Sequence, residues 1–384
     1  MPLSTSQRAL NLARAYYFFF FGGIGWLIPY VFLYFEQVGL DGSQIGFLAG
    51  LWPLGTLLVG PVWAAIGDRF HVHRWLLPIA SFGLCLPTLL MPHFSTFTPL
   101  MGLMTLMAVL GAPINALADS ATLDLLGKNA QGYGRIRLGG TFGFAIMNVA
   151  AGWLVERAGL QWAFVGYAVC LALAGTVALG LPARRAKLQV DFNAGVRQLL
   201  VSRSFLFFLS GSFLIGLAFQ AAISFFPLRL QALGASTTLI GLAGALSSIA
   251  EIPTLVFARR IFQRLSPWAT TIIAASVYTV RWWLVAQLTD PLSATLTQAT
   301  HGLSFGMFLI GGVAYVDERS PAGLSATAQA IFSAVFAGIG AAAGAWLGGW
   351  MYQTYGATIM FTSLAGATLA ALGLLLLARR RERL

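Results

Sequence analysis

Residues 39–46 read Gly-Leu-Asp-Gly-Ser-Gln-Ile-Gly and residues 234–241 read Gly-Ala-Ser-Thr-Thr-Leu-Ile-Gly, so Gly39, Ile45 and Gly46 recur as Gly234, Ile240 and Gly241 at an offset of 195. Each copy opens a long apolar run. Arg69 falls on Arg264 at the same offset, and Gly152-Trp153 with Gly159 recurs as Gly349-Trp350 with Gly356 at an offset of 197. The shared offset points to a duplicated unit half the length of the chain. The longest polar stretch, which begins Ala-Arg-Arg-Ala-Lys-Leu-Gln-Val-Asp-Phe-Asn at Ala183, falls between the copies. It reads as a linker over 183–202, dividing the chain into domains 1–182 and 203–384.

The apolar runs are long enough to fix the class. Of the 384 residues, 58% are hydrophobic and 9% charged, and the mean hydropathy is +0.78, whereas a soluble domain carries about 25% charged residues. A helix needs about 20 apolar residues to cross the hydrocarbon core of a bilayer. The sequence predicts twelve such spans, at 12–36, 43–66, 74–92, 97–126, 134–157, 161–181, 203–229, 237–258, 268–289, 292–315, 322–352 and 357–378. Helices are the one reading for these lengths, because a backbone in lipid must satisfy its hydrogen bonds within its own segment. The first span is too long and aromatic to be a cleavable signal. The expected fold is an all-α membrane protein of two pseudo-symmetric six-helix bundles, an architecture of secondary transporters that rock about a midplane site. Within each bundle the ladders Gly139/Gly143 and Gly340/Gly344/Gly348 are expected to let helices pack closely.

A net charge of +11 raises the question of nucleic acid, but the charges sort by side instead of forming a groove. With the amino terminus inside, all of the 23 Lys and Arg except Arg157, Arg229 and Arg281 fall at the terminal segments or the even-to-odd loops. That asymmetry predicts both termini in the cytoplasm and a multi-pass protein of the inner (plasma) membrane. Cys85 and Cys170 lie inside spans and read as small apolar residues. There is no His/Cys metal spacing, no glycine-rich nucleotide loop and no nucleophile with its base, so neither a cofactor nor an enzyme is expected. An ion gradient remains as the energy source. The partners are then a small-molecule solute, protons and the lipid bilayer, with the protein acting as a monomer.

Apart from the loops and the ends of the spans, few ionisable residues remain, chief among them Asp119, Arg137, Glu251, Arg281 and His301. Each is costly to bury alone, at about 2.5–3.5 kcal/mol for a charged side chain at a helix centre, so they must face one another or water. Asp119 and Arg137 are expected to pair, either to fix one helix against the next or to hold a solute. Glu251 sits in Ser-Ser-Ile-Ala-Glu-Ile-Pro-Thr-Leu-Val-Phe (247–257) with no basic residue within a turn, and is expected to be charged in one step of a cycle and neutral in another. Arg281 would pair with Glu251 or take a solute carboxylate bidentately, with Trp282 or Trp26 offering an aromatic face. Of the abundant aromatics, including Trp52, Phe219, Phe225 and Trp283, most are expected to face lipid or the interface.

Several motifs carry a family resemblance. Gly67-Asp68-Arg69-Phe70-His71-Val72-His73-Arg74 resembles the loop between helices 2 and 3 of the major facilitator superfamily, with Ala64 and His71 where that motif has glycines. Leu117-Ala118-Asp119, Tyr133-Gly134-Arg135-Ile136-Arg137-Leu138-Gly139, Glu251-Ile252-Pro253, Val280-Arg281-Trp282 and Gln298-Ala299-Thr300-His301-Gly302, in that order, resemble the lactose-permease-like branch and within it the phenylpropionate permease group. The resemblance implies a gate at Asp68, Arg69 and Arg264, solute binding at Asp119, Arg137 and Glu251, and proton coupling at Arg281 and His301. The chain departs from the lactose permease at Ser304, where that protein has its proton-carrying glutamate, and at Gln298, where it has a lysine. The proton step therefore moves to Glu251, Asp119 or His301. The expected function is proton-coupled uptake of a small organic solute, an aromatic or other monocarboxylate first and a sugar or nucleoside next. The alternative is a drug or lipid exporter of the same fold, whose Gly-Pro ladder in helix 5 is missing from 137–153.

Overall fold

The computed structural model describes residues 5–70, 72–127, 132–181, 202–321 and 324–382. His71, Lys128, the linker up to residue 201 and the side chain of Asp68 lie outside the described residues. Among the described residues every regular element is helical. The long apolar helices are α1 (Gln7–Gln37), α2 (Gly42–Gly67), α3 (Arg74–His93), α4 (Phe97–Leu126), α5 (Tyr133–Ala158), α6 (Gln161–Leu179), α7 (Arg203–Ala232), α8 (Thr237–Val256), α9 (Pro267–Gln287) and α10 (Pro291–Arg319). A final apolar stretch, Ser325–Arg379, is one run by hydropathy. Gly356 leaves the helical region there, with φ 79° and ψ 172°, so the stretch is two crossings, α11 (325–355) and α12 (357–379).

The duplicated residues have a physical reason. Gly39 and Gly234 both take φ 87°, and Gly159 and Gly356 take φ 96° and 79°. A left-handed residue ends a helix at little cost only when it lacks a Cβ, so matched turns require glycine at matched positions. The glycine ladders act inside each half. A Cβ on Gly139 would meet the Arg14 carbonyl at 3.0 Å, and one on Gly340 the Phe213 carbonyl at 2.9 Å, which seats α5 on α1 and α11 on α7.

The remaining matched glycines join the halves. We call the end where α1 begins the inner end. At the outer end Gly46 of α2 crosses α11, where a Cβ would lie 2.8 Å from the Gly349 Cα. The counterpart crossing sets Gly152 of α5 against α8, where a Cβ would lie 3.0 Å from the Thr238 Cα. Hydrogen bonds lock both crossings. The Gly42 amide donates to Gln353 Oε1 at 2.9 Å and the Tyr352 hydroxyl to Glu36 at 3.3 Å. On the other side the Thr238 amide donates to Glu156 at 3.0 Å and the Thr237 hydroxyl to the Gly152 carbonyl at 3.1 Å. The deepest link is Ser248 Oγ donating to the Thr141 carbonyl at 3.2 Å. These hydrogen bonds between the halves all lie in their outer part.

Several spans bend away from ideal α geometry, α4 and α10 among them. Pro113 splits α4 into Phe97–Gly111 and Ile114–Leu126, because proline cannot donate its amide. In α10, Thr297–Thr300 is a tight 3₁₀ turn and Gly302–Gly306 a wide π turn. Departures of this kind concentrate at functional sites.

Candidate functional site

In the first half, the second piece of α4 carries Asp119 and the first turns of α5 carry Arg137. Arg137 Nη1 donates to Asp119 Oδ1 at 2.9 Å and to the Tyr133 hydroxyl, one turn back on α5, at 3.0 Å. The Tyr17 hydroxyl of α1 donates to the same Asp119 oxygen at 2.6 Å. Phe21, one turn further along α1, lays its ring 5.1 Å from the guanidinium. The pair stays accessible, with the Arg137 side chain 40% and the Asp119 side chain 35% exposed. The group is an acceptor beside a planar donor, accessible and flanked by aromatic rings. Nothing in the sequence singles out Tyr17 or Phe21, and Tyr133 stands out only as the first residue of the motif that carries Arg137.

The second half arranges its charges differently. Arg281 on α9 is buried, and its Nη1 donates to His301 Nδ1 at 3.0 Å and Ser304 Oγ at 3.2 Å. Its Nη2 donates to Gln298 Oε1, while the guanidinium lies 4.6 Å from the Trp282 ring centroid. Gln298, His301 and Ser304 are spaced by three. Gln298 lies in the 3₁₀ turn and Ser304 in the π turn of α10, on either side of His301, and all three reach one arginine. An arginine can only donate, so His301 Nδ1 accepts and the proton of the neutral ring belongs on Nε2. No carboxylate pairs with Arg281 among the described residues.

Glu251, expected as a partner for Arg281, does not reach it. It lies on α8 beside Gly306 of α10, half-buried, with no hydrogen bond or ion pair among the described residues. The buried Tyr278 hydroxyl has no hydrogen-bond partner among the described residues. Phe219 lies flat on Phe305, with centroids 4.6 Å apart, and His301 stacks on Phe305 at 5.2 Å. These three rings form a wall between α7 and α10.

The expectation that most aromatics face lipid needs correction. Trp26, Phe225 and Trp282 are buried within the protein. Trp26 packs over Gly166 of α6, and Trp282 lies between Tyr278 and Phe361. Both therefore sit inside their own half, away from the Asp119–Arg137 pair. Trp283 is 52% exposed, as lipid contact requires. Arg69 and Arg264 are exposed at the inner end, and neither has an ion pair among the described residues.

Residues 10–363 match the MFS_1 like family, and the chain belongs to it. It is a multi-pass membrane transporter for small solutes and not an enzyme. Among its relatives, the maltose permease of Geobacillus stearothermophilus is 30% identical over 378 residues, which cover 96% of this chain and 94% of that protein. The probable 3-phenylpropionic acid transporter of Escherichia coli (strain K12) is 26% identical over 339 residues, covering 84% and 85%. In structure, the nucleoside transporter NupG superposes with a TM-score of 0.82 at 18% identity, covering 96% of this chain and 98% of the other. At that identity the likeness speaks for the fold alone.

Proposed function

We propose that this protein is a monomeric proton-coupled symporter that imports a small neutral, hydroxyl-rich solute across the inner membrane, with both termini in the cytoplasm. The observation that carries the solute class is the accessible Asp119–Arg137 pair. It offers a carboxylate to accept from hydroxyls and a guanidinium to donate to them, and hydrogen bonds to charged groups are worth about 1.5–3 kcal/mol each. Phe21 and the Phe219/Phe305 wall supply apolar faces for a ring. The whole-length relationship to a maltose permease supports a saccharide within this class. Rocking of domains 1–182 and 203–384, joined by the linker 183–202, would expose the centre to each side in turn, with Asp68, Arg69 and Arg264 steadying the closed inner face.

Glu251 is the proton carrier in this reading. Alone in an apolar span, its charge costs several kcal/mol, which a proton removes. In this reading a charged Glu251 draws on the guanidinium of Arg137 and competes with Asp119 for it. A proton on Glu251 leaves Arg137 to Asp119 and the solute. Binding of proton and solute is then mutually favourable, and such coupling is reciprocal. Arg281 with His301 holds the positive charge that balances Glu251 when it ionises.

A second reading keeps the aromatic monocarboxylate first expected from the sequence, on the strength of the phenylpropionate relative. Its difficulty is geometric: the fork of Arg281 is buried and engaged by Gln298, His301 and Ser304. Equilibrium binding of maltose and 3-phenylpropionate to the purified protein separates the two readings. Maltose binding that is lost in Asp119→Asn supports the first. Binding of 3-phenylpropionate alone, lost in Arg281→Gln, replaces it with the second.

A further inference from the structure

The two outer crossings match in their glycines but not in the residue behind them. The offset of 197 carries Asn148 of α5 onto Ala345 of α11, and the offset of 195 carries Ala49 of α2 onto Gly244 of α8. Ala49 and Ala345 are both buried, so that crossing is apolar. At the other, Asn148 is 0% exposed and neither its Oδ1 nor its Nδ2 has a hydrogen-bond partner. Its main chain is satisfied, since the Tyr30 hydroxyl donates to the Asn148 carbonyl at 3.2 Å. The orphaned group is the side-chain amide, which lies against Gly244 of the opposite half. A Cβ there would sit 2.6 Å from Nδ2 and 2.9 Å from Oδ1. Glycine at 244 thus makes the room in which the amide is buried.

We infer that Asn148 is a built-in opener of the outer seam. A buried amide without partners forfeits the hydrogen bonds that water would give it. Parting α5 from α8 returns both atoms to the aqueous cavity. The closed seam therefore carries a penalty that the open one does not, and the penalty sits on one crossing, where it acts directly on the closed-to-open equilibrium. With an alanine pair in its place the two crossings would be alike and the carrier would rest closed. The inference concerns the seam and stands whichever solute the centre binds.

The test is pulsed electron spin resonance on protein in lipid nanodiscs. Nitroxide labels replace the exposed Gln37 and Gln231 at the outer ends of α1 and α7, in a background with Cys85 and Cys170 changed to alanine. Asn148→Ala is expected to reduce the outer-open fraction about tenfold, equivalent to ~1.4 kcal/mol. It should also slow solute entry from the outer face while leaving equilibrium affinity unchanged. Gly244→Ala alone is expected to raise the open fraction, because its methyl group meets the amide, and the double variant to return it to the low value. Asn148→Ser, whose short hydroxyl can bond its own helix, should act like Asn148→Ala and serves if the alanine variant does not fold. An open fraction that is unchanged or raised in both Asn148 variants overturns the inference.

Discussion

Arg137 and Arg281 are both arginines set in apolar spans, one in each half, and they are held in opposite ways. Arg137 is accessible and bound to a carboxylate, which itself takes a hydrogen bond from Tyr17. Arg281 is buried, bound to neutral acceptors from one helix and backed by Trp282. The first arrangement is neutral as it stands and presents both signs of charge to the centre, which suits holding a polar solute. The second is a buried positive charge with no carboxylate beside it, and Glu251, which we propose as its counter-charge, stands apart on α8. A charge and counter-charge that do not touch can be uncoupled by one proton; an ion pair cannot be so easily. The division of labour proposed here, solute in the first half and proton in the second, follows from that difference.

The largest effect is expected from breaking the first arrangement. Asp119→Asn keeps the shape but leaves Arg137 without its counter-charge. Solute affinity should fall at least tenfold, or about 1.4 kcal/mol or more, at the lower end for hydrogen bonds to charged groups because the pair is partly solvated. Isothermal titration of the detergent-solubilised variant checks it. Arg281→Lys should disturb the second half instead. A single ammonium cannot match the planar fork that serves three acceptors, so solute accumulation should drop about threefold to tenfold while affinity moves less than twofold, an order-of-magnitude expectation for losing one or two such bonds. An affinity loss as large as in Asp119→Asn would erase the distinction between the halves.

Much of the comparison was legible in the sequence. Charged residues in a long apolar span are conspicuous because they are costly there, and the Asp119–Arg137 pair followed from the requirement that they meet. The isolation of Glu251 could be read from the absence of a nearby base. Its separation from Arg281 could not, since the distance between α8 and α9 side chains depends on helix rotation. Ser304 and Gln298 attracted notice as departures from a family pattern, and the structure makes both of them partners of Arg281. Their convergence depends on the 3₁₀ and π turns of α10, which leave no mark in the order of residues. Tyr17 was hidden inside the run Tyr16-Tyr17-Phe18-Phe19-Phe20-Phe21, where nothing distinguishes the hydroxyl that is used. Trp26 and Trp282 were conspicuous for the opposite reason, being large aromatics near charges, and they serve packing inside their own halves. Asn148 carries a different lesson: an uncharged polar residue in a span escapes a search confined to ionisable groups, although burying its amide is also costly.

A smaller change would sharpen the comparison by making the second half resemble the first. Ser304→Glu places a carboxylate where Ser304 Oγ now accepts from Arg281. The new pair would balance Arg281 permanently, so solute accumulation should fall in an otherwise wild-type protein and stay lost in a Glu251→Gln background, measured as uptake into proteoliposomes under an imposed pH gradient. The smallest effect is expected at the inner end. Asp68→Asn should slow turnover about twofold to threefold, the size of effect expected for one charge interaction at a solvated loop, with solute affinity unchanged. Stopped-flow uptake and titration on the same preparation report the two quantities separately.

The central claim is that Glu251 carries the coupling proton and Asp119 does not. Purified wild-type protein and Glu251→Gln in proteoliposomes, with the inside more alkaline than the outside, give the most direct test. The wild type should accumulate solute above the external concentration. Glu251→Gln should show no accumulation yet retain exchange of internal for external solute at equal pH, because a permanently neutral side chain still lets the loaded carrier cycle. Accumulation at the wild-type level in Glu251→Gln would contradict the account.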